Sequence, residues 1–378
     1  MKILFLIPDL NTGGAERVLV NILKHIDRRS FSPSLVLFNK QGKLLASVPG
    51  DVAIYPLKEL QGKYWYGFQW LNLLLQFRKL IKRIEPDIVF SFMWYPNAVA
   101  VIARITMRTK FGLIVSERTS TSTYEGTFLN VMRTAILRLL YPSADLIIAP
   151  SARMADDLAG ICKISRQKII TIHNPVDMQA VQTQSLEKFH YENDKKVIST
   201  IGRLGSEKGF AYFIKAADIL RKELTDCKFI IVGEGSERKN LERLIQERGL
   251  GDTVELVGFQ QNPYKFLSRS TIFVLSSLYE GFPNVLLEAL SLGIPSIATR
   301  CPTGPDEIIT DGVNGILVPV ADERALADAI KKLILDEPLR RRLSEAGKIQ
   351  SQDFEVKKIV KQFEKAIGDV CAASAGKN

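Results

Sequence analysis

The sequence has little cysteine: Cys162, Cys227, Cys301 and Cys371 lie far apart with no CxxC spacing. Neither a zinc knuckle nor a disulfide framework is built from thiols placed this way, so they read as incidental. Long apolar runs are also missing. The longest, such as "WLNLLLQF" at 70–77, falls well short of the roughly 20 residues that span a bilayer. The opening "MKILFLIPDL" breaks at Pro8 without a signal-peptide core, so a cytoplasmic chain is expected. No zinc-finger spacing or RNP-like aromatic motif occurs, and nucleic acid is not expected as a partner.

At 46% hydrophobic and 24% charged, the composition is that of a packed globular protein. The 378 residues exceed one ordinary core, so two domains, and a cleft between them, are expected. The net charge of +10 is uneven: residues 1–180 hold 23 Lys and Arg against 13 Asp and Glu, and the rest holds 28 of each. The basic half is either a solvated surface or the face for an anionic partner.

Short apolar runs alternate with helical patterns. The first half offers strands at 2–8, 34–38, 52–57, 87–92, 112–117, 145–150 and 168–174. A polar stretch at 190–196 follows, and the pattern restarts at 196–204, 228–235, 253–259, 271–277, 295–300 and 315–320, with helices at 209–223, 236–248 and 284–292. Continuous apolar runs between helices mean parallel sheets covered on both faces. From Asp322 onward the tail reads as helix, with Phe354, Ile359, Phe363 and Ile367 near helical spacing. Ligands of such sheets bind beyond the carboxyl ends of the strands.

Three strand-end motifs carry chemistry. In "LYEGFPNVLLEAL" (278–290), Pro283 is suited to start a helix at about Pro283–Asn284, whose first N–H groups attract phosphate. Glu288 lies about one turn inside and Glu280 in the loop before it, each able to accept hydrogen bonds from vicinal hydroxyls. In "GRLGSEKG" (202–209), Arg203 and Lys208 are cations fit to hold a diphosphate. In "NTGGAERVLVNIL" (11–23), Gly13 and Gly14 permit close backbone approach between the first strand and first helix. Singly, each has an ordinary structural explanation as a tight turn, a solvated pair or a dipole cap. All three fall at strand ends of one two-domain α/β chain.

Together these motifs resemble the EX7E signature of retaining nucleotide-sugar glycosyltransferases, family 4. The resemblance runs through "IGRL", "IVGEG", "LVGF" and "EGFPNVLLEALSLGIPSIAT" to "GVNGILVPV". "EGFPN" and "CPTGPDEII" (301–309) resemble bacterial members that extend lipid-linked or cell-surface glycans. The resemblance implies the α/β GT-B fold, two Rossmann-like doubly wound domains facing each other across a cleft. Its expected boundaries are an acceptor-side domain at 1–180, a linker at 181–195, a nucleotide-sugar domain at 196–350, and a last helix at 351–378 crossing back to the first domain.

It further implies that Glu280 contacts hydroxyls of the donor sugar and Glu288 the ribose. Arg203 and Lys208 hold the diphosphate, helped by Gly13, Gly14 and the Asn284 and Val285 amides. Gly233, Glu234, Gly258 and Phe259 line the base pocket, and Phe282 and Pro283 complete the donor turn. Where many members carry a first-domain histidine near the sugar, this chain has "SERTS", which puts Glu117 and Arg118 there as sugar or acceptor contacts. "HNPVD" (173–177) replaces the usual Asn-Gly-Val-Asp, and His173 is read as structural. No Asp-x-Asp occurs, in keeping with metal-independent catalysis in which the two cations neutralise the leaving group. No cofactor is expected; the nucleotide sugar, UDP-linked by expectation, is a co-substrate.

The expected acceptor is a glycan on a polyprenyl diphosphate, with the protein peripheral on the inner face of the cytoplasmic membrane. The segment 63–85, with Trp65 and Trp70, either rests on anionic lipid or places Trp70, Leu74, Phe77, Ile81 and Ile84 as a sheet-facing stripe, with Tyr64–Tyr66 left for lipid. Two other functions stay open: a nucleotide-sugar epimerase, and a silent sugar-nucleotide binder. A nicotinamide dehydrogenase fits poorly, because Arg238 stands where the third glycine of GxGxxG belongs.

Overall fold

Seven apolar runs of the first half form seven parallel strands: β1 (Lys2–Ile7), β2 (Ser32–Leu37), β3 (Ala53–Pro56), β4 (Ile88–Phe92), β5 (Gly112–Ser116), β6 (Leu146–Ala149) and β7 (Ile169–Thr171). The computed structural model describes residues 1–57, 68–107, 110–118, 128–188 and 195–375. The strands lie in the order β3-β2-β1-β4-β5-β6-β7. Neighbouring residues such as Leu4 and Phe5 are both fully buried, one in each of two cores on opposite faces. That is why these strands read as unbroken apolar runs instead of alternating ones. The connecting helices are α1 (Gly14–His25), α2 (Phe68–Ile84), α3 (Trp94–Thr106), α4 (Phe128–Leu140) and α5 (Ala152–Cys162).

The second half follows the same rule. It comprises α6 (Met178–Ser185), β8 (Lys196–Ile201), α7 (Phe210–Leu220), β9 (Cys227–Val232), α8 (Arg238–Glu247), β10 (Val254–Gly258) and α9 (Tyr264–Leu267). It continues with β11 (Ile272–Leu275), α10 (Asn284–Ser291), β12 (Ser296–Thr299), α11 (Pro305–Ile308), β13 (Ile316–Val318), α12 (Glu323–Leu335) and α13 (Glu337–Ser351). The six strands run parallel in the order β10-β9-β8-β11-β12-β13. α14 (Val356–Ala375) ends the described chain.

The chain divides into two units, Met1–Pro175 with Val356–Asn378, and Val176–Glu355. α14 belongs to the first, where it packs on α1 and β5 and buries Ile359, Phe363 and Ile367 beside Phe5 and Phe90. Thus α1 and α14 cover one face of the first sheet, and α2 to α5 the other.

The polar stretch expected as linker, 181–195, begins inside α6. Asp177 caps this helix by accepting from the Ala180 N–H at 2.9 Å, and it packs on α9 and α10 of the second unit. Only Val181 of α6 is buried, so its hydropathy resembles a loop. Residues 189–194 of that stretch lie outside the described residues, as do Tyr64–Tyr66.

In α2, Leu74, Phe77 and Ile81 are buried and Trp70 and Ile84 pack against the same core. The stripe reading of that helix therefore holds.

Candidate functional site

Strand order in the second sheet reverses between β8 and β11. Two successive crossovers leave that point in opposite directions, so the loops after these strands open a crevice at their carboxyl ends. Lys208 follows β8 and Glu280 follows β11. Lys208 Nζ donates to Glu280 Oε1 at 2.6 Å, with side-chain exposures of 22% and 9%. The same Oε1 accepts from Ser277 Oγ at 2.6 Å. Among the described residues no donor reaches Glu280 Oε2, so one carboxylate oxygen is held and the other is available to a ligand.

Main-chain contacts fix the two loops together. Ser276 Oγ donates to the Lys208 carbonyl at 2.9 Å, and Leu278 N–H donates to the Glu207 carbonyl at 2.8 Å. Gly209 turns the first loop with φ +62°, and a Cβ there would stand 2.1 Å from the Ser276 carbonyl oxygen. Only glycine fits both the left-handed conformation and the contact. Thr303 Oγ1 donates to the Glu280 carbonyl, which pins the Glu-Gly-Phe-Pro-Asn turn from the loop after β12.

α10 starts at Asn284, with Pro283 as its cap residue and no side-chain cap. An uncapped first turn of an eight-residue helix points N–H groups toward the strand ends, a fit for phosphate oxygens. Phe282 is buried against Phe354, with ring centroids 5.7 Å apart, so it anchors the turn from below. Glu288, on the fifth residue of α10, is buried and accepts from Tyr264 Oη at 3.1 Å.

Arg203 lies at the outer rim. Its guanidinium is 75% exposed and pairs with Glu207 at 2.6 Å. Burial pulls the Glu207 carboxyl up, but the Arg203 hydrogen bond and nearby cations outweigh it and hold the group below its usual range.

The loops after β9 and β10 continue the same edge. Gly202 N–H donates to the Val232 carbonyl, Leu204 N–H to that of Glu234, and Gly233 N–H to that of Gly258, at 2.9–3.0 Å. A Cβ on Gly233 would lie 1.8 Å from the Gly202 oxygen, so glycine lets these loops touch. Glu234 pairs with Arg238 at 2.9 Å, and Phe259 is 40% exposed, a flat surface on which a base can stack. The expected donor-binding residues of the second unit therefore stand at or just after the carboxyl ends of four neighbouring strands, β10, β9, β8 and β11, and on α10.

In the first unit, Gly13 caps α1 and Gly14 is its first residue. A Cβ on Gly13 would meet the Glu16 carboxylate at 2.3 Å, so the start of this helix already faces an anionic side chain.

Glu117 requires a correction. It is fully buried: Oε1 accepts from Arg133 Nη2 at 3.1 Å and Oε2 from Tyr141 Oη at 2.7 Å. Its carboxylate is engaged inside the core below the strand end, and cannot touch a sugar there. Burial, reinforced by the Glu117 charge, pushes the Tyr141 phenol well above its ordinary range.

Arg118 differs. Its Nη1 donates to Asn174 Oδ1 at 2.8 Å, and the guanidinium lies 5.1 Å from the Phe92 ring centroid and 5.9 Å from that of Phe363. Nε and Nη2 are buried with no hydrogen-bond partner among the described residues.

Sequence reading missed Ser277, Thr303 and Tyr264. The paired serines at the end of β11 were a readable signal, since a hydroxyl is out of place in a buried strand unless it has a partner. Thr303, in the loop after β12, and Tyr264, at the start of α9, act on residues 23 and 24 positions away and leave no local signature.

Two parallel-sheet Rossmann-like units, with these strand-end loops, define an α/β protein of the GT-B glycosyltransferase class. Residues 12–180 match the family model described as "Glycosyltransferase Family 4" and residues 181–350 the one described as "Glycosyl transferases group 1". The chain belongs to this glycosyltransferase family, of the bacterial glycan-assembly type.

Among its relatives is the N-acetylgalactosamine-N,N'-diacetylbacillosaminyl-diphospho-undecaprenol 4-alpha-N-acetylgalactosaminyltransferase of Campylobacter jejuni. It is 31% identical over 365 residues, covering 95% of this chain and 97% of the relative. A second Campylobacter jejuni enzyme, a GalNAc-alpha-(1->4)-GalNAc-alpha-(1->3)-diNAcBac-PP-undecaprenol alpha-1,4-N-acetyl-D-galactosaminyltransferase, is 28% identical, covering 98% of this chain and 99% of its own. Among solved structures, HepE of Anabaena in complex with UDP superposes with a TM-score of 0.79 at 22% identity, over 98% of this chain and 100% of that one. Sucrose-phosphate synthase of Thermosynechococcus elongatus gives 0.81 at 18%, over 99% and 100%. Neither the epimerase nor the silent-binder reading gains support from them.

Proposed function

We propose that this glycosyltransferase moves a hexose or N-acetylhexosamine from a UDP-linked donor, with retention, to a glycan carried on a polyprenyl diphosphate. The observation that carries the reading is the Lys208–Glu280 pair at the strand-order reversal of the second sheet, with Glu280 Oε2 left open. Support for the sugar and acceptor comes from the two Campylobacter jejuni relatives, named as N-acetylgalactosaminyltransferases of undecaprenol-linked glycans. Support for the nucleotide comes from the UDP complex of HepE.

In this reading Lys208 and Arg203 neutralise the departing diphosphate, and the N–H groups of Asn284 and Val285 take its oxygens. Glu280 Oε2 accepts from a hydroxyl of the donor sugar, and Glu288 from the ribose. Gly233, Glu234, Gly258 and Phe259 surround the base. The bond from the anomeric carbon to the phosphate oxygen breaks, and the acceptor oxygen bonds to the same face of that carbon. The acceptor's hydroxyl proton passes to the leaving phosphate. Cationic side chains carry the charge that a metal ion carries elsewhere, so transfer proceeds in chelator. The place of action is the inner face of the cytoplasmic membrane.

The test is a screen of nucleotide sugars by hydrolysis and thermal shift, followed by mass analysis with polyprenyl-diphosphate glycans. A UDP-sugar should stabilise the protein and its sugar should appear on the acceptor in α linkage. Conversion of the donor to an epimer without acceptor, or binding with no turnover, would refute the proposal.

A further inference from the structure

Arg238 is the first residue of α8, and no side chain caps that helix. A cation at a helix N-terminus opposes the dipole, so the stability of α8 does not account for it. Its Nη1 donates to Glu234 Oε2 at 2.9 Å and its Nε lies 2.9 Å from Glu242 Oε1. Nη2 makes no hydrogen bond among the described residues. Glu234 Oε1 accepts from the Gly235 N–H at 3.2 Å; a carboxylate has about four lone-pair sites, so Glu234 keeps room for a further donor. The two side chains are 48% (Glu234) and 33% (Arg238) exposed. A Cβ placed on Gly258, at the end of β10, would stand 3.8 Å from Arg238 Nη1 and 4.0 Å from Glu234 Oε2. The space beside the Gly258 α-carbon is therefore bordered by a guanidinium with spare N–H groups and a carboxylate with spare lone pairs. Phe259, next in the chain, is exposed.

We propose that Glu234 and Arg238 together read the edge of the nucleotide base and select one with a carbonyl oxygen beside a ring N–H. The inference deepens the proposed function and rests on its placing of the base at Gly233, Glu234, Gly258 and Phe259. A base stacked on Phe259 brings its polar edge to the pair. Arg238 donates to the carbonyl oxygen, and Glu234 accepts from the ring N–H. Uracil presents O4 and N3–H in that arrangement. Cytosine has an amino group and a bare N3 at the same places, so a donor meets the guanidinium and a lone pair meets the carboxylate. Adenine carries the same reversed pattern in its amino group and N1. Guanine, with O6 beside N1–H, satisfies the pair, and its larger ring system is what separates it from uracil. An i,i+4 ion pair that served only the helix end would carry no preference among bases.

The experiment is calorimetric titration of the full chain with UDP, CDP, ADP and GDP. The wild-type chain should bind UDP about 10–100-fold more tightly than CDP or ADP. Glu234→Gln turns an amide N–H toward cytosine N3, so it should weaken UDP but not CDP and narrow the UDP-to-CDP ratio about tenfold. Arg238→Met should weaken UDP about tenfold and leave CDP as it was. The ratio compares two ligands on one sample, so a loss of folded protein does not move it, and melting curves report that loss separately. A UDP-to-CDP ratio unchanged in both variants overturns the proposal. So does a wild-type chain that binds UDP and CDP alike, a result that leaves UDP-sugar transfer standing. Tight GDP binding without UDP binding refutes the UDP donor instead. The reading of the base edge then survives if the same two variants loosen GDP relative to ADP, and falls if they do not.

Discussion

Lys208 and Glu280 are 72 residues apart in sequence and form a 2.6 Å ion pair where the strand order of the second sheet reverses. The pair sets up a separable test of chemistry and stability. Lys208→Ala removes the cation placed for the leaving diphosphate and should lower kcat by about 10²–10³-fold. It also strands a largely buried carboxylate, at about 2 kcal/mol of stability. Lys208→Met with Glu280→Gln removes both charges and should regain most of the melting temperature while staying inactive. Full turnover in the double variant would show that the pair only holds the loops.

Gly209→Ala tests whether the loops must touch. The new methyl would collide with the Ser276 carbonyl and force a left-handed φ, so it should cost at least about 2 kcal/mol in urea unfolding. Activity should fall further than stability, since Lys208 and Ser277 both move. Gly251→Ala, which has open space around its Cβ, is the control and should leave both unchanged.

Glu288→Gln should weaken UDP binding by about 10-fold in calorimetry, the loss of one charge-assisted hydrogen bond to a hydroxyl. Tyr264→Phe removes the 3.1 Å donor to Glu288 and should act in the same direction but more weakly, by positioning alone. UDP affinity unchanged by Glu288→Gln would move the ribose elsewhere.

The central strands were legible because they are buried on both faces, as Leu4 and Phe5 or Val274 and Leu275 show, and such strands are unbroken apolar runs. The site was legible to the extent that glycine, proline and charge cluster at strand ends, as in residues 202–209 and 280–288. Short helices were not: α9 and α11 have four residues each, too few to show a period. Glu117 misled because its donors, Arg133 and Tyr141, stand 16 and 24 residues away. A carboxylate at a strand end looks the same in sequence whether it faces a ligand or a buried arginine.

Tyr141→Phe tests that correction. It leaves Glu117 Oε2 buried without its 2.7 Å donor, and should cost about 1–3 kcal/mol in urea unfolding with the KM for donor unchanged. A selective rise in KM at full stability would return Glu117 to the sugar-binding set.

The thiols give a pH test whose sign follows from burial. Burial, with the Asp226 charge beside Cys227 and the Glu117 charge near Cys162, pushes both thiols up to about 11; burial and the Glu280 charge push Cys301 up to about 12. At pH 8 about one Cys162 thiol in a thousand is then a thiolate, the nucleophilic form. Above about pH 8.5 the unfolded chain releases these protons while the folded chain keeps them until about pH 11. The unfolded state therefore binds fewer protons in that window, and stability falls as pH rises through it. Iodoacetamide labelling followed by peptide mass analysis should show Cys371, the one half-buried thiol of the four, modified first at pH 8. Cys162, Cys227 and Cys301 should react only as the chain unfolds. Equal labelling of Cys301 and Cys371 in the folded protein would mean that the loop after β12 opens, and with it the Thr303 contact that holds the Glu280 carbonyl.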